Sequence, residues 1–515
     1  MTAEPPVTYV EMQSRRRRRL LLPVAIVLAL LTLIGLTAVV LGLVAAMRFK
    51  VNRTEAFPDI VAHFEHGSIG ADQSSGIPFW VWQALPRLFP AEFDGRLDYR
   101  AFGFLYNTDA HGRQEPLPIG ISKRDFRGVD LVWFNCAVCH TGTYRTSEGA
   151  ARVMVPGMPS NNLNLYGFIR FILDAGVDER LKPARLIPAM QAAGANLGVI
   201  DRQVWKLVVI PRMREGFIER RSRLQPFLAD QQPWGPGRVD TFNPYKLVQM
   251  NMLLSAIALD ERHGASDFPS IFNQRPREGM QLHWDGNNSS LDERNLSAAL
   301  GAGVTPKTVD HAAIKRVKEW LFDLHPPRSP HQVDPAAAER GRAIYMNACA
   351  ACHGYQGPDR YVFLGAKLGT VEPNSQLGTD PGRLDSYTEA FRQRQLAELF
   401  AGTPFQFKHF VKTNGYANMP LDALWLRGPY LHNGSVPTLA ELLKPPAQRM
   451  SQFSLGPKYD IENVGLAATQ DGSGEIRPAT DCNDVNSGNS RCGHEFGTSL
   501  SDQEKKALLE YLKTL

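Results

Sequence analysis

"NCAVCH", residues 135 to 140, sets Cys136 and Cys139 three positions apart and puts His140 directly after the second. Residues 347–353, "NACAACH", repeat the pattern with Cys349, Cys352 and His353. A zinc ribbon pairs one C-x-x-C with another, or with spaced histidines, and gives no reason for a histidine at the next position. A thiol redox site needs none there either. C-x-x-C-H is the attachment signature of c-type haem. On a helical turn residues three apart share a face, so both thiols reach the two vinyl groups of a porphyrin. The adjacent imidazole then lies under the ring as proximal iron ligand. Two such motifs use four of the six cysteines of the chain, which makes coincidence a poor account. Two covalent haems are the cofactors expected.

At 515 residues the chain exceeds one ordinary domain, and 43% hydrophobic with 21% charged residues is a globular composition. The net charge of +5 is uneven: residues 1–19, with Arg15 to Arg19 against Glu4 and Glu11, carry +3 of it. The body has no basic stripe that would read as a nucleic-acid groove.

Residues 20–47, "LLLPVAIVLALLTLIGLTAVVLGLVAAM", hold no charge over 28 positions. As a helix they span about 42 Å, enough to cross a bilayer with tilt. A cleaved signal has a shorter apolar stretch, so an uncleaved anchor is the better reading, with cleavage after Ala46 as the alternative. The preceding arginines keep the amino end in the cytoplasm. Haem of this type is attached outside the bacterial inner membrane, which places the body in the periplasm. In that oxidising space Cys482 and Cys492 read as a disulfide closing an 11-residue loop rich in Asn, Ser and Gly. The chain-entropy value of such a loop is about 2.8 kcal/mol. Two free thiols are the alternative.

"LHPPRSPHQVDP", 324–335, contains four prolines and cannot continue a helix. Beyond it Asp334 can cap a helix and Pro335 suits its first position. That helix runs into the second haem motif, with Gly341 placed for a close helix crossing. Ser501 and Glu504 form a capping box before a stripe of Ala507, Leu508, Tyr511 and Leu512. An opening helix that carries haem and a closing helix that packs on it describe a cytochrome c domain. The two motifs lie 213 residues apart, so the first section requires long insertions. The architecture expected is mainly α: an N-terminal transmembrane helix followed by two cytochrome c-type haem domains with long loop insertions. The segments are a cytoplasmic basic tail (1–19), the anchor (20–47), a first haem domain (48–325) and a second (326–515).

"LRGPYLHNGSVPTLAELL" (426–443) and "LHWDGNNSSLDERNLSAALG" (282–301) resemble segments of the bacterial di-haem cytochrome c peroxidase superfamily. "GSIGADQSSGIPFWVW" (67–82), "PGMPSNN" (156–162) and the stretch 488–515 are similar to RoxA-type rubber oxygenases within it. The resemblance covers most of residues 60–515. It implies one haem that meets oxygen or peroxide, and a second for electron supply. The peroxidases carry a Gln where this chain has Arg294, and an acid further on, whereas here no acidic residue follows Glu293 until Asp310. That departs from ordinary peroxide proton handling.

The sixth iron position decides function, because a second protein ligand closes the site. For the second haem His494 ranks first. It follows Cys492, and the resemblance implies a bis-His second haem with a ligand near the C-terminus. Met450, His432 and Met419 are the alternatives, with His432 reading better as a buried hydrogen-bonding residue. For the first haem His63, His66, His111, His263, His283, Met154 and Met158 are available. Each reads better as core or surface, which leaves an open or weakly held site. Trp284 is the candidate electron bridge, or else a core tryptophan against a haem edge. Trp80 and Trp82 read as core. Asp285, Asn287 and Asn288 offer oxygen ligands for calcium, although a turn explains them better. The partners expected are the inner membrane and a periplasmic electron donor or acceptor. An enzyme with an open haem and a pure electron carrier are the two function classes.

Overall fold

The computed structural model describes residues 9–108, 111–147, 149–330, 332–469 and 476–515. Its contacts divide the chain into two units. The smaller comprises residues up to Arg53 together with Asp125–Asp130. It is built on one helix, Tyr9–Phe49, of 41 residues. Leu21–Val40 within that helix has a mean hydropathy of 2.6 and is long and apolar enough to cross a membrane. Its described leucines and valines are exposed. Arg127 N donates to Val51 O at 2.7 Å inside the same unit.

The larger unit holds Thr54–Arg124 and Leu131–Leu515. In it Pro335–Ala348 packs against the last helix, Asp502–Leu512. Asp334 caps the first helix from Oδ1, with Pro335 at its opening position. Ser501 and Glu504 make the reciprocal capping box of the second. A Cβ on Gly341 would fall 2.0 Å from Ala507 O, so glycine is what allows the helices to meet. Tyr345 is fully buried at this crossing, and its hydroxyl donates to Gly354 O at 2.6 Å. The opening helix is thereby tied to the residue after His353.

The proline-rich segment at 324–335 divides the sequence and leaves the core undivided. One apolar cluster joins Tyr144, Val155, Met158 and Phe272 to Tyr345, Trp425, Leu508 and Leu512. The boundary read at 325/326 is therefore not a boundary of packing, because side chains from both sides fill one interior.

The first motif lies in a less helical setting than its sequence suggested. It sits on a single 3-10 turn, Cys136–Val138, between strands Val129–Phe134 and Thr141–Tyr144. The run "VDLVWF" is β-branched and aromatic, which favours a pleated strand. Asn135 caps the turn, accepting from Ala137 N at 3.0 Å and donating to Gly67 O at 3.0 Å. Helices Leu291–Gly301 and His311–Phe322 pack on Trp133 and Cys136. A cluster of stacked and edge-on rings around Trp82, Tyr99 and Phe168 fills the core beyond. Trp80 is only half-buried. Helices make up most of the regular structure. The strands are short except Gln452–Asp460, which pairs antiparallel with Gly465–Thr469 and Ile476–Pro478.

Candidate functional site

At each motif the histidine is oriented through Nδ1. His140 Nδ1 lies 3.0 Å from Pro269 O, and His353 Nδ1 lies 2.9 Å from Met419 O. A carbonyl oxygen can only accept, so both rings carry the proton on Nδ1 and present an unprotonated Nε2. That tautomer, fixed by a backbone carbonyl, is the one a metal-bound histidine needs. Burial holds His140 down to about 4 and lowers His353 too, so both rings are neutral at physiological pH. Burial pushes the thiols the other way, Cys136 to about 11, Cys139 to about 12 and Cys349 to about 11. Raised thiols do not suit a redox pair that works as thiolate. They suit cysteines held for addition to a vinyl group.

Cys136, Cys139, His140 and His283 are each half-buried. At the second motif His353 and His494 share that character. Their ring centres are 6.2 Å apart with planes at 44°. Two imidazole nitrogens about 2.0 Å from one metal, each about 1.1 Å in front of its ring centre, give a separation of about 6.2 Å. The residues present therefore fit an iron held between His353 and His494. Burial, then the neighbouring His353 and Arg449, hold His494 down to about 4, which keeps it neutral and able to ligate.

The loop that delivers His494 is fastened at several points. Cys482 and Cys492 form a disulfide, with Cα atoms 5.5 Å apart. Gly493 has φ +75, and a Cβ there would fall 2.4 Å from Leu377 O and from Gly378 C, so backbones touch where only glycine fits. His494 N donates to Leu377 O at 2.8 Å. The Arg449 guanidinium donates to Lys444 O, Leu442 O, Arg491 O, Gly493 O and His494 O. Asp380 accepts from Ser490 N at 2.9 Å and Gly382 N at 2.8 Å. Arg449 and Asp380 carry no signal in the sequence, because their partners are backbone atoms brought near by folding.

The other candidates have different work. His432 is buried, stacks on Tyr416 at 4.0 Å and meets its hydroxyl through Nε2 at 3.0 Å. Met419 serves His353 through its carbonyl. Met450 N donates to Glu441 Oε2 at 2.9 Å. Near the first motif His66 contacts Glu115 and Ile121 O, Met158 is wholly buried in the shared core, and Met154 packs near Cys136. His63 lies near Arg316 and Asp310, His111 is exposed, and the His263 carbonyl abuts Gly382 and Gly488. His283 Nδ1 meets Asn287 Oδ1 at 2.6 Å. The calcium reading loses its ligands. Arg383 binds Asp285 Oδ1 at 2.8 and 2.9 Å, Asn287 faces His283, and Asn288 is bonded to Glu293 and to Ser290 N. Among the described residues no group of three or more His, Cys, Asp or Glu could hold a metal ion.

Trp284 stands in a chain of bonds between the two motifs. Its Nε1 donates to Asp267 O at 2.8 Å, two residues before the carbonyl that holds His140. Its own carbonyl accepts from Ala417 N at 2.8 Å, two residues before the carbonyl that holds His353.

Residues 415–454, which include the Met419 carbonyl and His432, match the family described as RoxA-like, cytochrome c-like. The uncharacterized protein y4iJ of Sinorhizobium fredii is 29% identical over 525 residues, covering 80% of this chain and 84% of that protein. The uncharacterized protein y4iM of the same organism is 31% identical over 216 residues, 39% of this chain and 49% of its own length. Cytochrome c550 of Pseudomonas aeruginosa is 36% identical over 83 residues, 16% of this chain and 50% of its length. The chain thus spans about half of two of these relatives and most of the third. It carries a cytochrome c-like domain, and domains of that kind hold haem covalently and serve electron transfer.

Proposed function

We propose that this chain is a membrane-anchored periplasmic cytochrome with two c-type haems, one in a closed electron-transfer site and one in a site open to a small ligand. The observation that carries the reading is the facing pair His353 and His494, 6.2 Å between ring centres. Cys136 and Cys139 would hold the first group with His140 as ligand, and Cys349 and Cys352 the second with His353 and His494. When bound, these groups supply one-electron redox chemistry, and the first can also take up oxygen or peroxide. Met419 and Pro269 orient the ligating rings, and Trp284 joins the two orienting segments. The Leu21–Val40 helix is the proposed anchor, with its arginine-rich end in the cytoplasm.

The test is haem stoichiometry in the full chain, expressed where c-type haem is attached and read by pyridine haemochrome after acid–acetone extraction. Two haems per chain are expected, and Cys136→Ala with Cys139→Ala leaves one. A wild type with no extraction-resistant haem overturns the reading, and a wild type with one overturns the two-site form. A phosphatase fusion after residue 60 should be active, whereas activity only of a cytoplasmic reporter at that point overturns the topology.

A carrier with both irons six-coordinate is the competing reading. His283, half-buried with its Nδ1 held by Asn287 Oδ1, is the histidine that this reading would use. A first haem unresponsive to carbon monoxide and cyanide would decide for the carrier.

A further inference from the structure

Residues Val199 to Ala229 form one continuous helical run, with a π turn over Trp205–Val209. Trp205, Ile210, Phe217 and Leu224 are buried against the body. A second apolar stripe of the same run is left to solvent. Ile200, Val204, Leu207, Pro211 and Ile218 follow one another at helical spacing. Val199, Ile200 and Leu207 are 72%, 71% and 68% exposed, and Ile218 is 48% exposed. Between Pro183 and the helix residues Ile210, Pro211 and Ile218 the stripe opens into a groove of about 380 Å³, also lined by Lys182, Arg214 and Glu215. Arg202, Lys206 and Arg212 are exposed on this run, and none of them makes an ion pair among the described residues. Cations outnumber acids over 199–218, with Arg202, Lys206, Arg212 and Arg214 against Asp201 and Glu215.

Aliphatic side chains held in water along one stripe mark a surface that gains by being covered. Two copies of this chain meeting through the stripe would set Arg202, Lys206 and Arg212 against their own counterparts, and like charges oppose such a pairing. Cations beside an apolar stripe complement a surface that is both apolar and anionic, which is the boundary between the acyl chains and the headgroups of an anionic bilayer. The apolar helix Leu21–Val40 of the same chain, proposed above as the anchor, would keep that surface close and raise its effective concentration. We propose that the 199–218 face docks on a bilayer surface rich in anionic phospholipid. Ile200, Leu207 and Ile218 enter the acyl boundary, and Arg202, Lys206 and Arg212 meet headgroup phosphates. The groove beside Pro183 and Pro211 takes part of an acyl chain. A body tethered at one end is thereby held at a second point, which fixes the face it turns to the membrane.

The experiment uses the full-length protein reconstituted into vesicles of phosphatidylethanolamine with phosphatidylglycerol. A phospholipid that forms a carbene on its acyl chain under light is included, and adducts are mapped by peptide mass spectrometry. Adducts are expected on the peptide of Leu21–Val40 and on that of 199–218. They are not expected around Leu253 and Leu259, which are each 73% exposed and serve as the control for simple exposure. Ile200→Glu with Leu207→Glu should lower the adducts on 199–218 by at least about fivefold and leave those on Leu21–Val40 unchanged. Arg202→Glu with Lys206→Glu should do the same, as should wild type in vesicles of phosphatidylcholine alone, an arm that needs no variant to fold. The proposal is overturned if 199–218 takes no adduct, if Leu253 and Leu259 are labelled as strongly, or if removing phosphatidylglycerol changes nothing. Cross-links between two copies through an unlabelled 199–218 would assign the face to a dimer and also overturn it. Adducts on 199–218 with none on Leu21–Val40 would defeat the anchor and leave the docking face supported.

Discussion

Trp284 donates its indole N–H to the backbone oxygen of Asp267 at 2.8 Å, and accepts from Ala417 N at 2.8 Å through its own carbonyl. Both partners are two residues from a carbonyl that orients a motif histidine, Pro269 for His140 and Met419 for His353. One residue, through its indole and its carbonyl, therefore ties the two sites together by hydrogen bonds and short peptide segments. Trp284→Phe keeps an aromatic ring and removes the donor. Stability should fall by about 1–2 kcal/mol, because an acceptor on buried Asp267 loses its partner. Electron exchange between the two haems should slow, followed by rapid-mixing reduction at two wavelengths. Unchanged exchange would leave Trp284 a packing residue.

His494→Gly should convert one low-spin haem to high-spin, create a carbon monoxide site and leave two haems per chain. Added imidazole should restore the low-spin spectrum. A spectrum untouched by His494→Gly, with Met450→Gly or His432→Gly changing it instead, would assign the sixth ligand elsewhere.

Arg449→Met removes the donor to five backbone carbonyls around the His494 loop. Leaving buried acceptors bare should cost about 2–3 kcal/mol in urea unfolding. Cys482→Ser with Cys492→Ser should cost about 2–3 kcal/mol by releasing the loop in the unfolded chain. The combined variant should lose more than the sum if both act on one loop, and a purely additive result counts against that coupling.

Asp380 gives a pH dependence. Burial raises its carboxyl from 3.8 to about 7, against the backbone N–H groups of Ser490, Gly382 and Gly488. A raised folded pKa means that the folded state holds the proton more tightly than the unfolded chain. Stability from this group is therefore present in acid and lost as pH rises from about 4 through 7. From pH 5 to pH 8 wild type should lose about 2–3 kcal/mol of stability relative to Asp380→Asn. Asp267, also raised to about 7, is common to both proteins and cancels in the difference. A difference constant over that range would refute the assignment.

Much of the second site was legible in the chain. Asp334, Pro335, Gly341, Ser501 and Glu504 act through local geometry, so their spacing predicted two capped helices that cross closely. The strand–turn–strand setting of Cys136 is not legible in the chain, because a C-x-x-C-H pentapeptide fits a 3-10 turn as well as a helix. The small sheet around Gln452–Asp460 is not legible either, because its partners Gly465–Thr469 and Ile476–Pro478 are short.

The sequence by itself determined which atoms can attach haem, because C-x-x-C-H fixes two thiols and an imidazole within one turn. It also determined the apolar helix near the amino end, since 28 uncharged residues admit few alternatives. Only the tertiary structure decided that His494 lies beside His353 and that the Pro269 and Met419 carbonyls orient the two motif histidines. Those relations join residues up to about 140 positions apart. They run through backbone atoms, rings and fields that leave no spacing in the chain, so they exist only once the core has closed.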